Sequence, residues 1–212
     1  MKQDLTEIAI ILDSSGSMQG CLSDTLGGLK NYLESQKNVP GECIVSVFNF
    51  ASTLGVLTDH ENVSKLDINQ LSDKYREVMG GSTALYDAVG IVIDRIGMCL
   101  NATPEQARPS AVSIMIITDG EENASRRFNL ARVQEMIKHQ KEKYNWTFTF
   151  IGADITTDEA VSMNIDQHSS LSIDKSKIGD AISLCGVKYA NFRGSKKVTD
   201  LSYSNEERSA LS

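Results

Sequence analysis

Residues 8–18 read Ile-Ala-Ile-Ile-Leu-Asp-Ser-Ser-Gly-Ser-Met, and the rest of the chain is organised around this stretch. Its first five residues form an uninterrupted apolar run, which is typical of a strand buried on both faces of a parallel sheet. Between residues 22 and 33, leucine then recurs at helical spacing. The stretch therefore lies where a buried strand ends and a helix begins. In an open α/β sheet this junction is the usual place for a ligand.

Three oxygen-bearing side chains, Asp13, Ser15 and Ser17, are spaced two residues apart in this turn. A carboxylate and two hydroxyls that converge in a turn suit a hard cation such as Mg²⁺. Gly16 allows the turn to be tight. The same side chains also have an ordinary interpretation, because Asp and Ser are common N-caps of helices.

The composition excludes several classes of protein. The 212 residues carry a formal net charge of −7, which argues against a nucleic-acid partner. No apolar run is long enough to span a bilayer, so we expect no membrane partner. The N-terminal residues lack the pattern of a signal peptide, and we therefore expect a cytoplasmic protein. Its four scattered cysteines are then predicted to be free, buried thiols: Cys21, Cys43, Cys99 and Cys185.

Strand and helix patterns alternate along the chain. Strands are predicted at 7–13, 43–50, 53–58, 111–118, 146–151 and 169–173. Helices are predicted at 18–36, 84–100, 127–144, 157–164 and 174–191, with a loop and a short helix within 59–79. Segment 53–58 is expected to pair back on its predecessor as an antiparallel edge strand. The pattern predicts an α/β fold, a three-layer αβα sandwich around a mostly parallel sheet.

The C-terminal segment differs in composition from the rest of the chain. From Phe192 onward the residues are polar and charged, without a periodic apolar face. We therefore predict one domain over residues 1–191, followed by a polar, flexible tail at 192–212.

Two further loops carry oxygen groups at comparable positions. Thr83 follows a Gly-Gly-Ser loop, and Asp119 follows the predicted strand 111–118. Alone, Thr83 could be a helix N-cap and Asp119 an ordinary turn residue. In a parallel sheet, however, the loops would open at the same edge, and five oxygens form most of an octahedral shell. The conjunction predicts a metal site made of Asp13, Ser15, Ser17, Thr83 and Asp119.

These pieces together resemble the metal-ion-dependent adhesion site of the von Willebrand factor type A (vWA) family. The match comprises the DxSxS pattern at 13–17, the threonine loop at 80–83 and the second aspartate within 118–120. The resemblance covers about residues 5–190 and implies the Rossmann-like vWA fold. Integrin-type domains use an acidic pair after this motif for an adjacent cation. Gln19, Gly20 and Cys21 stand there in this chain, so we predict a single metal.

The resemblance also implies roles for the five residues. Ser15 and Ser17 would bind Mg²⁺ or Mn²⁺ directly, and Thr83 would bind it directly or through water. Asp13 and Asp119 would act mostly through water. A Glu or Asp of a protein partner would complete the coordination, and in many such domains the last helix then moves.

Residues that follow the second aspartate are predicted to form the rim of the site: Glu121, Glu122, Asn123, Arg126 and Arg127. On the functional interpretation, an arginine pairs with acidic groups that flank the partner's carboxylate. On the alternative interpretation, the segment is a solvated loop and helix start. Tyr86 and Asp87 are further rim candidates. The three histidines, His60, His139 and His168, are predicted to be surface groups outside the site.

The leading hypothesis is a non-enzymatic, metal-dependent protein-binding module. The sequence has no GxSxG elbow, no P-loop and no histidine in a loop next to the two serines. The alternative is a Mg²⁺-dependent hydrolase or phosphatase that uses the same site. A structural subunit with a degenerate site is a third possibility, which the intact ligand set disfavours. Resemblance to intracellular, bacterial-type members of the family favours an adaptor, with an AAA+ ATPase or a stress-response component as partner.

Overall fold

Six strands form a single sheet in the computed structural model, which describes residues 1–195 and 197–212. In chain order they are β1 (Lys2–Asp13), β2 (Glu42–Phe50), β3 (Leu54–Asn62), β4 (Pro109–Thr118), β5 (Thr147–Ala153) and β6 (Ser170–Ile173). The order across the sheet is β3-β2-β1-β4-β5-β6, and all neighbours are parallel except β2 and β3. The predicted α/β sandwich with one antiparallel edge strand is confirmed.

Helices cover both faces of the sheet. They are α1 (Leu22–Lys37), α2 (Ile68–Glu77), α3 (Leu85–Ala102), α4 (Leu130–Tyr144), α5 (Asp158–Ser162), α6 (Ile178–Ser195) and α7 (Asn205–Leu211). Alternate residues of β1 explain the two layers. Ile8, Ile10 and Leu12 belong to the core beneath α1 and α6, whereas Ala9 and Ile11 belong to the core beneath α3 and α4. Among the described residues, no helix combines the length and apolar content that a membrane crossing requires.

The first strand and helix differ most at their boundaries from the sequence-based expectation. β1 begins at Lys2 rather than residue 7, because its polar N-terminal end also pairs with the start of β4. The predicted helix at 18–36 is divided into a 3₁₀ helix, Gly16–Cys21, and α1. The N-cap residues of these two helices are Ser15 and Cys21, and neither makes a side-chain capping hydrogen bond. The capping interpretation of Asp13 and Ser17 therefore does not apply here.

Helices α1 and α6 approach each other at glycines. A Cβ atom added to Gly28 would lie 2.6 Å from the carbonyl oxygen of Gly179, and one on Gly179 would lie 2.7 Å from that of Asp24. About two turns further along α6, a Cβ on Gly186 would lie 2.7 Å from the Cα of Tyr32, which is one turn beyond Gly28 on α1. The two backbones are thus in direct contact, which only residues without a side chain allow.

The C-terminal segment is packed, which corrects the prediction of a flexible tail at 192–212. The predicted boundary at 191 falls inside α6, which continues to Ser195. Leu201, Tyr203 and Leu211 are buried and join the core beneath α1 and α6. Three isolated apolar residues without helical spacing create no periodic pattern, so composition alone made this segment look solvated.

The cysteines follow the prediction with one exception. All four are free, and Cys21, Cys43 and Cys185 are buried. Cys99 is exposed and lies near the C-terminal end of α3.

Candidate metal centre

The loop after β1, the loop before α3 and the loop after β4 meet at the carboxyl edge of the sheet. β1 and β4 are neighbours, with Leu12 opposite Ile117, so the residues that follow each strand lie side by side. Backbone hydrogen bonds join the threonine loop to the first turn, from Gly80 N to Ser14 O at 2.7 Å and from Gly16 N to Gly81 O at 3.3 Å. Gly80 and Gly81 have φ angles of 127° and 96°, which favour glycine.

Asp13 is fully buried and organises the turn that follows it. Its Oδ1 accepts a hydrogen bond from the backbone N–H of Ser15 at 2.7 Å, and its Oδ2 accepts one from Thr118 Oγ1 at 2.6 Å. The hydroxyl of Tyr75 donates to its carbonyl oxygen. Burial raises the pKa of Asp13, although the hydrogen bonds from Thr118 and Ser15 act in the opposite direction. These contacts suit a residue that orients the ligands rather than one that binds a metal directly.

Ser15, Ser17 and Asp119 form a chain of oxygen atoms. The Oγ atoms of the two serines are 3.0 Å apart, and Ser17 Oγ donates to Asp119 Oδ1 at 2.6 Å. Adjacent ligand oxygens of an octahedral Mg²⁺ are about 3 Å apart, given metal–oxygen distances of about 2.1 Å. The arrangement therefore fits the cation that the sequence predicts.

Thr83 completes the oxygen cluster from the third loop. It is buried, and its Oγ1 faces the turn after Asp119, where a Cβ on Gly120 would lie 3.2 Å away. The structure thus brings all five predicted ligands, Asp13, Ser15, Ser17, Thr83 and Asp119, to one edge of the sheet. Hydroxyls and carboxylates are ligands for a hard cation such as Mg²⁺ or Mn²⁺.

Lys175 is a member of this centre that sequence reasoning missed. Its ammonium contacts Asp119 Oδ2 and donates to the carbonyl oxygen of Ser17 at 2.7 Å. The side chain of Asp119 is completely buried, so the ammonium balances a carboxylate that water does not reach. Burial lowers the pKa of Lys175, but the hydrogen bond and charge of Asp119 outweigh it, and the pKa is raised. A positive charge therefore lies beside the predicted ligands.

Glu122 and Asn123 lie at the predicted rim, but their side chains build the loop itself. The carboxylate of Glu122 accepts hydrogen bonds from the backbone N–H groups of Tyr86, Ala124 and Ser125. Asn123 Oδ1 accepts one from the N–H of Thr83 at 3.0 Å. These contacts fasten the loop after β4 to the threonine loop.

Asp87 has a similar structural role. Its carboxylate accepts the backbone N–H groups of Arg126, Arg127 and Phe128 at 2.7–2.9 Å. Burial would raise its pKa, but these three hydrogen bonds prevail and the pKa is lowered. No sequence pattern pointed to this pairing, because Asp87 and its partners are about 40 residues apart.

The remaining rim predictions are exposed residues: Glu121, Arg126 and Arg127. The guanidinium of Arg127 lies over the ring of Phe128, 5.8 Å from its centroid, which is a cation–π contact at the surface. None of the three histidines has a hydrogen bond to the five predicted ligands among the described residues. His60, His139 and His168 are all exposed, as predicted for surface groups.

Comparison of the fold with solved structures gives a match to "von Willebrand factor type A from Catenulispora acidiphila". The TM-score is 0.64 at 13% sequence identity, over 89% of this chain and 43% of that chain. This chain has the vWA fold. Proximal thread matrix protein 1 from the mussel byssus matches with a TM-score of 0.65 at 13% identity, over 86% of this chain and 47% of that chain.

Two of the matched structures carry metal. The mussel protein is described with zinc in its MIDAS motif, the abbreviation for the metal-ion-dependent adhesion site. The Plasmodium vivax TRAP protein is described as manganese-loaded, and it matches with a TM-score of 0.59 at 15% identity, over 86% of this chain and 72% of that chain. The chain spans less than half the length of the first two structures. No family model and no curated protein sequence matches it.

Proposed function

We propose that this vWA chain is a divalent-metal-dependent protein-binding module that recognises an acidic side chain of its partner. The observation that carries the proposal is the chain of oxygen atoms from Ser15 through Ser17 to Asp119, spaced 2.6–3.0 Å apart. The zinc-occupied and manganese-loaded structures of the same fold support a divalent cation here. Mg²⁺ or Mn²⁺ suits these oxygen ligands best.

In this proposal the residues divide into ligands and supports. The hydroxyls of Ser15, Ser17 and Thr83 are the direct ligands, and Asp13 and Asp119 orient them and balance the charge. The bound metal supplies a Lewis-acidic position that a carboxylate can occupy. Asp13 and Asp119 together can neutralise one divalent ion, and Ser17, the exposed residue of the five, marks the side that a partner would reach.

We also propose that the chain is not an enzyme. A hydrolase needs a nucleophile or a base beside the metal. Among the described residues, the hydroxyls of Ser15 and Ser17 bond to each other and to Asp119, and no histidine contacts them. Turnover of p-nitrophenyl phosphate that disappears in Ser15→Ala would favour the hydrolase alternative instead.

The cellular setting is a further proposal. The sequence resemblance to intracellular, bacterial-type members supports an adaptor in the cytoplasm, with an AAA+ ATPase or a stress-response component as its partner. The acidic composition is compatible with a protein partner and unfavourable for nucleic acid.

Calorimetric titration with Mg²⁺ and Mn²⁺ tests the metal centre. We expect binding by the unmodified chain and loss of at least tenfold in affinity in Ser15→Ala/Ser17→Ala, because two direct ligands are removed. Ser23→Ala is the matched control, since Ser23 is exposed on the neighbouring helix α1. Thermal melts show whether each variant is folded. Equal binding by the folded double variant would contradict the site.

Arg127→Glu tests the recognition of an acidic partner. An array of peptides that each present one Glu or Asp serves as the probe, with and without Mg²⁺. We expect Arg127→Glu to weaken metal-dependent peptide binding several-fold, because a like charge then faces the peptide. Calorimetry should show unchanged Mg²⁺ affinity in the same variant. Loss of Mg²⁺ binding would instead mean that Arg127 supports the metal centre.

A further inference from the structure

A second cluster of reactive side chains lies on the face of the sheet that α3 covers. Glu7 of β1, His60 of β3 and Cys99 of α3 are arranged in a row. His60 Nδ1 is 3.4 Å from Glu7 Oε1, and His60 Nε2 is 3.9 Å from Cys99 Sγ. The thiol and the carboxylate therefore face opposite nitrogens of one imidazole. Because no single ring nitrogen faces both, the row is arranged as a relay rather than as a chelate for one metal ion.

The buried carboxylate of Glu7 is the unusual feature that indicates a role for this cluster. Its side chain is only 1% exposed, and neither carboxylate oxygen has a hydrogen-bond partner among the described residues. A buried carboxyl without hydrogen-bond partners is costly to the folded state. The imidazole of His60 is the basic group that faces it. Burial, and then the charge of Asp59, raise the pKa of Glu7 to about 7.

A β-bulge aims His60 at these partners. In the β2–β3 ladder Val47 pairs with Thr58 and Val45 with Glu61, so Asp59 and His60 both lie opposite Ser46. The backbone of His60 has φ of 53°, a left-handed conformation that non-glycine residues seldom adopt. Its N–H is held by Ser46 Oγ at 2.9 Å. Bulges and such strained residues occur where a side chain must be redirected, often beside functional groups.

The bulge is also fastened to the helix that carries the thiol. Asp59 forms an ion pair with Arg95, which lies one helical turn before Cys99 on α3. This contact holds β3 against α3 at the level of the thiol. The imidazole and the sulfur thus belong to a strand and a helix that this ion pair joins, and not to free loops.

Cys99 is accessible but not acidic by itself. Burial of the sulfur raises its pKa, the charges of Glu7 and Asp59 add to this effect, and Arg95 opposes it. Since the thiolate is the nucleophile, a thiol of this kind needs a base in order to react near neutral pH. His60 Nε2 is in position to be that base, and the Glu7 carboxylate would stabilise the imidazolium that forms.

We propose that Cys99 is a reactive thiol, oxidised by hydroperoxides, with His60 as its base and Glu7 as the positioning residue of the imidazole. His60 takes the thiol proton, and the sulfur attacks the terminal oxygen of the hydroperoxide. An S–O bond forms as the O–O bond breaks, and the proton passes from His60 to the departing alkoxide, or to hydroxide when the oxidant is hydrogen peroxide. Cysteine is thereby oxidised to sulfenic acid, and the hydroperoxide is reduced to an alcohol or, for hydrogen peroxide, to water.

The first experiment measures alkylation of the native protein by iodoacetamide at pH 7, with the site of modification read by mass spectrometry. We expect His60→Asn to slow the reaction of Cys99 at least tenfold, because general base catalysis contributes about 10²–10⁴-fold. Asn is chosen because it tolerates the left-handed backbone at this position. His139→Gln removes an exposed histidine elsewhere and should leave the rate unchanged. An unchanged rate in folded His60→Asn would overturn the proposal.

The pH dependence of the same rate tests Glu7. In the unmodified chain we expect reaction near neutral pH that Glu7→Gln slows several-fold and His60→Asn slows at least tenfold. In urea, where the relay is absent, all variants should react alike. A Glu7→Gln profile identical to that of the unmodified chain would remove Glu7 from the relay. If His60→Asn does not fold, the unmodified chain provides the test. Alkylation of Cys99 that is no faster in the native protein than in urea would also overturn the proposal.

Trapping with dimedone after treatment with hydrogen peroxide tests the oxidation itself. We expect a dimedone adduct on Cys99 and at least tenfold less adduct in His60→Asn. The buried thiols Cys21, Cys43 and Cys185 report whether the protein stays folded, since they should remain unmodified. Absence of the adduct on Cys99 would overturn hydroperoxides as the oxidant.

Discussion

At the residue scale, the ammonium of Lys175 and the metal ion of the proposed site would both have their charge balanced by the same carboxylate, that of Asp119. Lys175 contacts Asp119 and the carbonyl oxygen of Ser17, both within the proposed site. Two unit charges about 4 Å apart repel by about 4 kcal/mol at an effective dielectric constant of 20. Either the lysine swings away when metal binds or it remains and weakens the binding. In both cases its presence lowers the affinity for metal.

Lys175→Met should therefore bind Mg²⁺ more tightly, by about tenfold or ~1.4 kcal/mol. The methionine keeps the apolar stem of the side chain but removes the charge. Calorimetric titration is the measurement, and Lys177→Met is the matched control in the same 3₁₀ turn. Unchanged or weaker affinity in Lys175→Met would show that the ammonium supports the centre and does not compete with the metal.

At the element scale, the packing of α1 on α6 restricts the movement of α6. The resemblance to the vWA family implies that the helix predicted at 174–191, which is α6, moves when a partner binds. Here the backbones of the two helices touch at Gly28 and Gly179. Close packing of this kind is bistable rather than continuously deformable, so small sliding motions are disfavoured.

Two adjacent glycines of α1 offer a test of that contact. Gly28→Ala should lower the free energy of unfolding by about 1–3 kcal/mol, since its Cβ would meet backbone atoms at 2.6 Å. Gly27→Ala has open space around the new Cβ and should raise stability by about 1 kcal/mol through helix propensity. Urea unfolding measures both variants. A stabilised Gly28→Ala would mean that the helices separate readily.

Local patterns in the sequence predicted the elements and the ligands, because both depend on residues close together in the chain. The buried strand before Asp13 and the turn through Ser17 are one continuous signal. Lys175 left no signal, since it lies 56 residues from Asp119 and reaches it only through the order of the strands. Asp87 is similar, because a carboxylate that binds distant backbone N–H groups looks like any polar residue of a helix.

At the scale of the whole molecule, Glu7 makes stability depend on pH. Its pKa rises from 4.5 to about 7 on folding, so the folded state holds this proton more tightly than the unfolded state. Unfolding then releases a proton between these values. The contribution to stability is fully present below pH 4.5 and is lost as the pH rises through about 7, with a total of about 3 kcal/mol.

Glu7→Gln should therefore stabilise the chain at pH 8 relative to the unmodified protein and have little effect at pH 5. The amide keeps the shape of the side chain but cannot ionise. Urea unfolding at the two pH values gives the difference, and Glu61→Gln provides a control on β3, where the side chain is half-exposed. A constant difference between Glu7→Gln and the unmodified chain at both pH values would rule out ionisation of Glu7 as the cause.

The C-terminal segment 192–212 shows why packing between distant parts of the chain cannot be predicted from local sequence patterns. Tyr203 and Leu211 are buried, yet they are too few and too widely spaced to produce a periodic signal. Their burial depends on a surface made by α6 and β6, which no local segment reveals. Cys99 is the converse case, since its exposure reflects where the end of α3 lies over the edge of the sheet.

The bulge at Asp59 and His60 has a consequence for self-association. An edge strand with a long, regular row of free backbone groups is a template on which another chain can add and aggregate. The bulge interrupts that row on β3. At the opposite edge, the guanidinium of Arg208 donates a hydrogen bond to the carbonyl oxygen of Ser170, the first residue of β6. The backbone N–H of Tyr203 donates one to the carbonyl oxygen of His168, just before β6. Deletion of one bulge residue would straighten β3 and expose such a template. The bulge that directs the imidazole of His60 therefore also opposes aggregation through the edge of β3.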